Sequence, residues 1–216
     1  MKRMIAPSLL AADFMHLKRD VEMINQSEAD WLHIDIMDGV FVPNISFGFS
    51  VLDVLKDVSI KPLDVHLMIV EPHKFIREVA AAGAFMMNVH YEACVHLNRT
   101  VAAIKEAGMK AGVTLNPHTP IAVLEDIIQE LDMVLLMSVN PGYGAQAFIE
   151  HSVNKTARLR KMIEEKGLQT LIEIDGGVNM DTAQRLFAAG ADVLVAGSYV
   201  FNSVDPIQTI SGLKSL

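Results

Sequence analysis

Short apolar runs rich in β-branched residues alternate along the whole chain with longer stretches in which apolar residues recur at helical spacing. A short apolar run fits a buried strand, and a recurrence every three to four residues fits an amphipathic helix. The pattern predicts eight strands, at residues 4–9, 31–37, 62–69, 85–91, 110–115, 133–139, 170–175 and 193–197. A helix-period stretch follows each of them. In 147–166, for example, Phe148, Val153, Leu159, Met162 and Ile163 mark a largely apolar face.

A faint internal repeat agrees with this count. Ala-Ala-Gly-Ala occurs at 81–84 and again at 188–191, and Glu-Ala-Gly-Met at 106–109, each where a helix gives way to a strand. Glycine suits that place because the residue after a helix often turns left-handed. No Ser-rich linker, charge block or change of composition divides the chain, so it is expected to form a single domain spanning 1–216. Repeated strand–helix units of this number and length predict an α/β protein, a closed (β/α)8 TIM barrel with its active site at the carboxyl ends of the strands. An open doubly wound sheet is the alternative. It would place a G-x-G-x-x-G turn after the first strand, where this chain has Pro7-Ser8-Leu9-Leu10-Ala11-Ala12-Asp13.

Composition narrows the functional classes. The 216 residues are 51% hydrophobic, enough for a sizeable core, which excludes disordered, collagenous and coiled-coil chains. Acidic residues number 26 against 18 basic ones, a net charge of −8, so no basic surface is available for nucleic acid or anionic lipid. The one cysteine, Cys94, has no internal partner for a disulfide, as expected of a reduced cytoplasmic protein. The opening residues Met1 to Ser8 reach Pro7 and then Asp13 too soon for a signal peptide, and no run is long and apolar enough to span a membrane. The sequons at Asn44, Asn98 and Asn154 would matter only in a secreted chain.

Alternate side chains of a strand share a face, so the second strand groups His33, Asp35 and Met37 against Leu32, Ile34 and Ile36. With the apolar trio facing the helices, the other three point into the barrel. The third strand repeats this with Asp64, His66 and Met68, and the seventh sends Glu173 and Asp175 inward. Buried ionisable groups are costly unless paired or bound to metal, and two imidazoles with two carboxylates suit Zn²⁺ or another first-row divalent ion. Taken singly, His33 or His66 would read as a hydrogen-bonded core histidine. His90 and Glu92 share a face of the fourth strand and offer a rival set, or polar lining that positions other groups. Asp38 before Gly39 reads as a turn residue. Most of the 13 methionines read as core filling. Met37 and Met68, one inward step beyond the candidate ligands, would form an apolar lid.

For phosphate, the sixth strand ends in Ser138-Val-Asn-Pro-Gly-Tyr-Gly-Ala-Gln146, whose glycines let backbone amides approach an anion. Gly176-Gly177 and Gly197-Ser198 add two such turns, and barrels commonly bind phosphate in the loops after their last strands. The competing reading is that these glycines only let strands turn into helices.

In this order, Ala6-Pro-Ser-Leu-Leu10, His33 to Gly39 with Phe41-Val-Pro-Asn44, Asp64-Val-His-Leu-Met68, Leu115-Asn-Pro117, Met137 to Gly144, Asp175-Gly-Gly177 and Ala196-Gly-Ser198 strongly resemble the ribulose-phosphate 3-epimerase family across essentially the whole chain. The resemblance implies a ribulose-phosphate-binding (β/α)8 barrel that interconverts D-ribulose 5-phosphate and D-xylulose 5-phosphate in the pentose phosphate pathway. It also implies one divalent metal ion per chain, Zn²⁺ first and Fe²⁺, Mn²⁺ or Co²⁺ as other candidates, held at His33, Asp35, His66 and Asp175. Asp35 and Asp175 would be the acid/base pair and Ser8 a substrate contact. Gly142, Tyr143, Gly144, Ala145, Gly176, Gly177, Gly197 and Ser198 would form the phosphate site. Ala145 departs from the family, which commonly has glycine there. The expected partners are the sugar phosphate and, in a homo-oligomer, further copies of the chain.

The chemistry fits these residues. Inverting a carbon beside a ketone removes a proton from one face and returns one to the other, which calls for two carboxylates across an enediolate. The alternatives are a hexulose-phosphate 3-epimerase, such as the allulose 6-phosphate enzyme, and a non-catalytic sugar-phosphate sensor. A metal-free barrel decarboxylase would carry Asp-x-Lys-x-x-Asp, which this sequence lacks.

Overall fold

The computed structural model describes residues 3–216, so Met1 and Lys2 of the opening segment lie outside the described residues. Eight parallel strands form one sheet: β1 (Met4–Pro7), β2 (Leu32–Met37), β3 (Leu63–Met68), β4 (Met86–His90), β5 (Lys110–Leu115), β6 (Met133–Met137), β7 (Leu171–Asp175) and β8 (Val193–Ala196). Each expected strand is present, within two residues at either end. The hydrogen-bonded order β1-β8-β7-β6-β5-β4-β3-β2 puts β1 and β2 at its two ends. These ends meet through a parallel bridge between Ser8 and His33 and a 2.9 Å hydrogen bond from Asp30 N to Ile5 O, so the sheet curls into a nearly closed barrel.

Helices α1 (Leu17–Gln26), α2 (Phe49–Val58), α3 (Ile76–Ala81), α4 (Leu97–Glu106), α5 (His151–Glu165), α6 (Met180–Ala188), α7 (Ser198–Phe201) and α8 (Pro206–Lys214) surround it. The outward strand residues, among them Leu32, Ile34, Ile36, Val65 and Leu67, are buried beneath Ile24, Leu52, Leu55, Ile104 and Leu159 of these helices. Each fully buried aliphatic side chain there contributes roughly 1.5–3 kcal/mol relative to exposure. That contribution fixes the strand faces, since a one-residue slip would turn every apolar side chain inward.

One expected helix is absent as such. Between β5 and β6 the chain makes two 3₁₀ segments, Ile121–Leu124 and Ile128–Glu130, where the periodicity predicts a helix. Pro117 and Pro120 remove amides and restrict the residues before them, and the short remainder covers the barrel with Ile121, Leu124 and Ile128. The α5 helix also starts later than the pattern suggests. Phe148 lies ahead of it, in a segment tied back to β6 by a 2.8 Å bond from Ile149 N to Ser138 O.

A recurrent aspartate sets register at the amino-terminal end of the barrel. Asp30, Asp132 and Asp192 lie just before β2, β6 and β8, and their side chains accept from Ile5 N (2.9 Å), Ala111 N (3.0 Å) and Ile172 N (2.9 Å). Inside the barrel, Ala6, Trp31, Met86, Met133, Val193 and Val195 form an apolar plug. Polar side chains fill the interior above it.

Candidate active site

Pairing between neighbouring strands brings the inward residues together. His33 on β2 stands beside Asp64 on β3, Asp35 beside His66, His66 beside Asn88 on β4, and Met37 beside Met68. Asp175, at the end of β7, pairs with Met137 and Val195. Nitrogen and oxygen atoms from His33, Asp35, His66 and Asp175 thereby lie within 4.8 Å of one another.

Each ligand candidate is held from outside the cluster. His33 Nδ1 lies 2.6 Å from an oxygen of Asp64, whose other oxygen accepts from Asn88 Nδ2 at 2.7 Å. Asn88 reaches Asp64 because position 112 is glycine: a Cβ there would fall 1.6 Å from Asn88 Oδ1. With Nδ1 engaged by a carboxylate, His33 presents Nε2 to Asp35 Oδ1 at 3.3 Å, and this Nε2 has no hydrogen-bond partner among the described residues. A buried, unpartnered imidazole nitrogen turned toward two carboxylates suits a divalent cation, so the donor set fits a metal ion. Asp35 accepts from Ser8 Oγ at 2.5 Å and lies 3.1 Å from His66 Nδ1. Ser46 Oγ donates to the Asp35 carbonyl at 2.7 Å, bracing β2 from the following loop.

The two aspartates differ electrostatically. Burial alone would raise the Asp35 carboxyl, but His33 at 3.3 Å and His66 at 3.1 Å hold it far below the usual range. Asp175 is pushed up to about 6 by burial and by the Asp35 charge. His33 is raised well above its ordinary value, because Asp35 and Asp64 outweigh the effect of burial. Glu173 lies beneath the cluster with both oxygens unpartnered among the described residues, and burial, then the Asp64 charge, raises it well above its ordinary value. Two groups whose surroundings drive their proton affinities apart are the usual form of an acid/base pair.

Above the cluster opens a cavity of about 660 Å³. One wall is Ser8, Asp35, Met37 and Met68; the other consists of 140–148, Asp175 to Asn179, Gly197 and Ser198. All the residues expected at the phosphate turns and the lid line it, while His33 and His66 lie fully buried beneath. Met37 and Met68 pack with Val42 in a small apolar cluster at the rim. At Gly176 (φ +117°) and Gly177 (φ +62°) a Cβ would come within 2.5 Å of Val139 and 2.9 Å of Phe148, so this turn requires glycine. Ala145 adopts φ +58°, a left-handed conformation that explains glycine's suitability there. Its φ is the finding that the sequence left open.

Further side chains brace the site from its surroundings. Asn44 Nδ2 donates to Gly142 O at 2.8 Å, anchoring the turn after β6 from the loop after β2. Asp38 caps its own loop, accepting from Val40 N and Phe41 N at 2.8 Å each. His90, pushed down to about 4 by burial, joins the cluster at His66. Glu92 lies low because the neighbouring His90 and hydrogen bonds from Thr119 and Asn116 outweigh its burial. Only the period-two pattern of β4 signalled His90, and nothing local signalled Asn44.

Fold and site together define a class: a parallel (β/α)8 barrel with a histidine–carboxylate cluster and glycine-rich turns at the carboxyl ends of its strands. The sequence profile of the ribulose-phosphate 3 epimerase family matches residues 4–201. Ribulose-phosphate 3-epimerase of Bacillus subtilis is 49% identical, over 97% of this chain and 97% of its own. The chloroplastic ribulose-5-phosphate-3-epimerase of Arabidopsis thaliana is 48% identical over 98% of this chain and 76% of its own. The chain belongs to the ribulose-phosphate 3 epimerase family. Among solved structures, a tryptophan synthase α-subunit variant from Pyrococcus furiosus aligns with TM-score 0.76 at 16% identity, covering 100% of this chain and 99% of that one. Orotidine 5'-phosphate decarboxylase from Pyrococcus horikoshii aligns at 0.71 and 16% identity over 98% of each chain. These two share the fold.

Proposed function

We propose that the chain is a ribulose-phosphate 3-epimerase that interconverts D-ribulose 5-phosphate and D-xylulose 5-phosphate by proton transfer at C3, a step of the pentose phosphate pathway. The observation that carries this reading is the convergence of Asp35 and Asp175, with His33 and His66, at the floor of a cavity walled by three glycine turns. The turns at Gly142 to Ala145, Gly176 to Gly177 and Gly197 to Ser198 hold the phosphate, which places the sugar's reacting carbon between the aspartates. Binding energy from that remote group positions C3.

Asp35 and Asp175 act from opposite faces of the sugar. One removes the C3 proton as general base while the other donates a proton to the opposite face, and their roles exchange in the reverse direction. Ser8 orients Asp35 through its 2.5 Å hydrogen bond and contacts substrate. His33, Asp35, His66 and Asp175 hold one divalent ion, Zn²⁺ being the first candidate. When bound there, the ion supplies a Lewis acid for negative charge developing on the substrate oxygens. Met37 and Met68 close over the site and keep water from the reacting carbon.

No helix among the described residues is long and apolar enough to cross a membrane. A cytoplasmic, homo-oligomeric enzyme is proposed, consistent with its single, partly buried cysteine and with exposed Val40, Ile45 and Val70 at the rim. Product isolated from D₂O after the first few per cent of conversion tests the mechanism. Deuterium is expected at C3 and not at C1. Retention of the substrate hydrogen at C3 would contradict two bases, label at C1 would indicate aldose–ketose isomerisation, and no turnover would favour a sensor. Faster turnover of allulose 6-phosphate would reassign the substrate to a hexulose phosphate.

A further inference from the structure

His66 and His90 face each other nitrogen to nitrogen inside the barrel. Their ring centroids are 5.0 Å apart with planes at 26°, yet the Nε2 atoms are only 2.9 Å apart, so the Nε2 corners meet nearly in plane. A hydrogen bond between two imidazole nitrogens needs a proton on one and a lone pair on the other. The remaining nitrogen of His66, Nδ1, is the one near Asp35 Oδ1 (3.1 Å) and Asp175 Oδ2 (3.9 Å). The remaining nitrogen of His90, Nδ1, makes no hydrogen bond among the described residues, and the Glu92 carboxylate approaches it at 3.4 Å through Oε2.

We infer that Glu92 is a positioning residue that acts through His90 to fix the tautomer of His66, so that the His66 Nδ1 lone pair is turned to the metal. The inference rests on the proposed metal site. Glu92 offers only acceptor oxygens, and its negative charge 3.4 Å away favours the His90 proton on Nδ1. His90 Nε2 is then a lone pair, and His66 must donate from Nε2. A neutral imidazole carries one proton, so His66 Nδ1 is left as a free donor atom for a cation. The opposite tautomer would place a proton where a ligand must coordinate. Asp64 does the same for His33 directly, so each candidate histidine ligand has an outer carboxylate, one adjacent and one reached through a second imidazole.

Glu92 is fastened for this task. Its other oxygen, Oε1, accepts from Asn116 N at 3.0 Å and from the Thr119 hydroxyl. The same loop is held from α5, where the buried Lys155 donates to the Asn116 carbonyl at 2.8 Å. Phe41 covers the outer side of His90, its ring centroid 4.6 Å from the imidazole. The Glu92 side chain is 20% exposed and thus sits at the edge of the site, outside the ligand cluster.

Glu92→Gln is a local test, because glutamine keeps an oxygen for Asn116 and Thr119 while its amide N–H₂ faces His90 Nδ1. The whole chain, stripped with a chelator, is titrated with Zn²⁺ against a chromophoric competitor. Glu92→Gln should weaken Zn²⁺ binding roughly 10-fold or more, as removal of an outer-shell partner does, without lowering the unfolding temperature of the stripped protein. In ¹⁵N-histidine NMR of the Zn²⁺-loaded wild type, His66 should carry its proton on Nε2 and His90 on Nδ1. In the variant the His90 Nδ1–H signal should be lost. In a His90→Phe background, where the link is already cut, Glu92→Gln should add no further loss. Unchanged Zn²⁺ affinity, an equal loss in the His90→Phe background, or the opposite tautomers in wild type would each overturn the inference. A wild-type chain that bound no Zn²⁺ would remove the metal reading and the inference with it.

Discussion

Gly177→Ala tests whether the turn after β7 is shaped for phosphate. At φ +62° an alanine pays the left-handed cost of roughly 1–2 kcal/mol, partly offset by about 0.4–1 kcal/mol from the stiffer unfolded chain. Its methyl would lie 2.9 Å from Phe148 Cβ, 3.0 Å from Phe148 Cα and 3.2 Å from Phe148 N, all closer than packing allows. Phe148 cannot easily yield, because the next residue is bonded to Ser138 O at 2.8 Å. On the other side, Thr182 Oγ1 donates to Gly177 O at 3.0 Å and ties the turn to α6. Overpacking of this kind costs roughly 1–3 kcal/mol, so the net loss of stability should be about 3 kcal/mol. For a chain of this size that corresponds to an unfolding temperature lower by roughly 6–12 °C. The displaced turn is the proposed phosphate wall. The KM for ribulose 5-phosphate and the inhibition constant of inorganic phosphate should therefore both rise about tenfold, a loss of about 1.4 kcal/mol, with a smaller change in kcat. Steady-state kinetics with phosphate as competitor, alongside thermal unfolding, reads all three. An unchanged inhibition constant for phosphate in a folded, destabilised variant would refute the assignment of this turn.

Asp35→Asn and Asp175→Asn should each lower kcat by at least about 10²–10⁴-fold, the usual contribution of a general acid or base, while circular dichroism stays unchanged; near-native turnover in either would defeat the two-base scheme. Asp64→Asn keeps an oxygen for Asn88 but opposes an N–H₂ to His33 Nδ1, so Zn²⁺ affinity should fall roughly 10–100-fold by chelator competition. Metal binding should also strengthen with pH. In the metal-free protein His33 is raised well above its ordinary value and Asp175 lies at about 6, and both must be deprotonated to coordinate. Near pH 7 binding should release about one proton, from His33, and below about pH 6 a second from Asp175, steepening the loss of affinity on acidification. Calorimetry in two buffers of different ionisation enthalpy measures this release, and the same heat in both would refute it.

Much of this protein is legible in one dimension because its determinants are local or periodic. The period of two in Leu32 to Met37 and in Leu63 to Met68 decides which side chains face inward, and burial of Leu32, Ile34 and Ile36 enforces it. Eight strand–helix alternations determine a parallel sheet, and the glycines at 176 and 177 mark a turn that no Cβ can enter. Tertiary structure alone decided how these pieces meet. Inter-strand register set His33 against Asp64 and Asp35 against His66, and sequence spacing carries no record of register between strands so far apart in the chain. The same holds for Asn44 on Gly142 and Phe148 on Gly177, contacts made by loops that converge only when the barrel closes. The segment between β5 and β6 shows the reverse limit: its apolar spacing is helical, but over the barrel it forms two short 3₁₀ turns. Proton affinity followed the same rule. Asp35 and Asp175 are the same residue type, and only their unequal surroundings, two close histidines for one, burial and a neighbouring negative charge for the other, drive them in opposite directions.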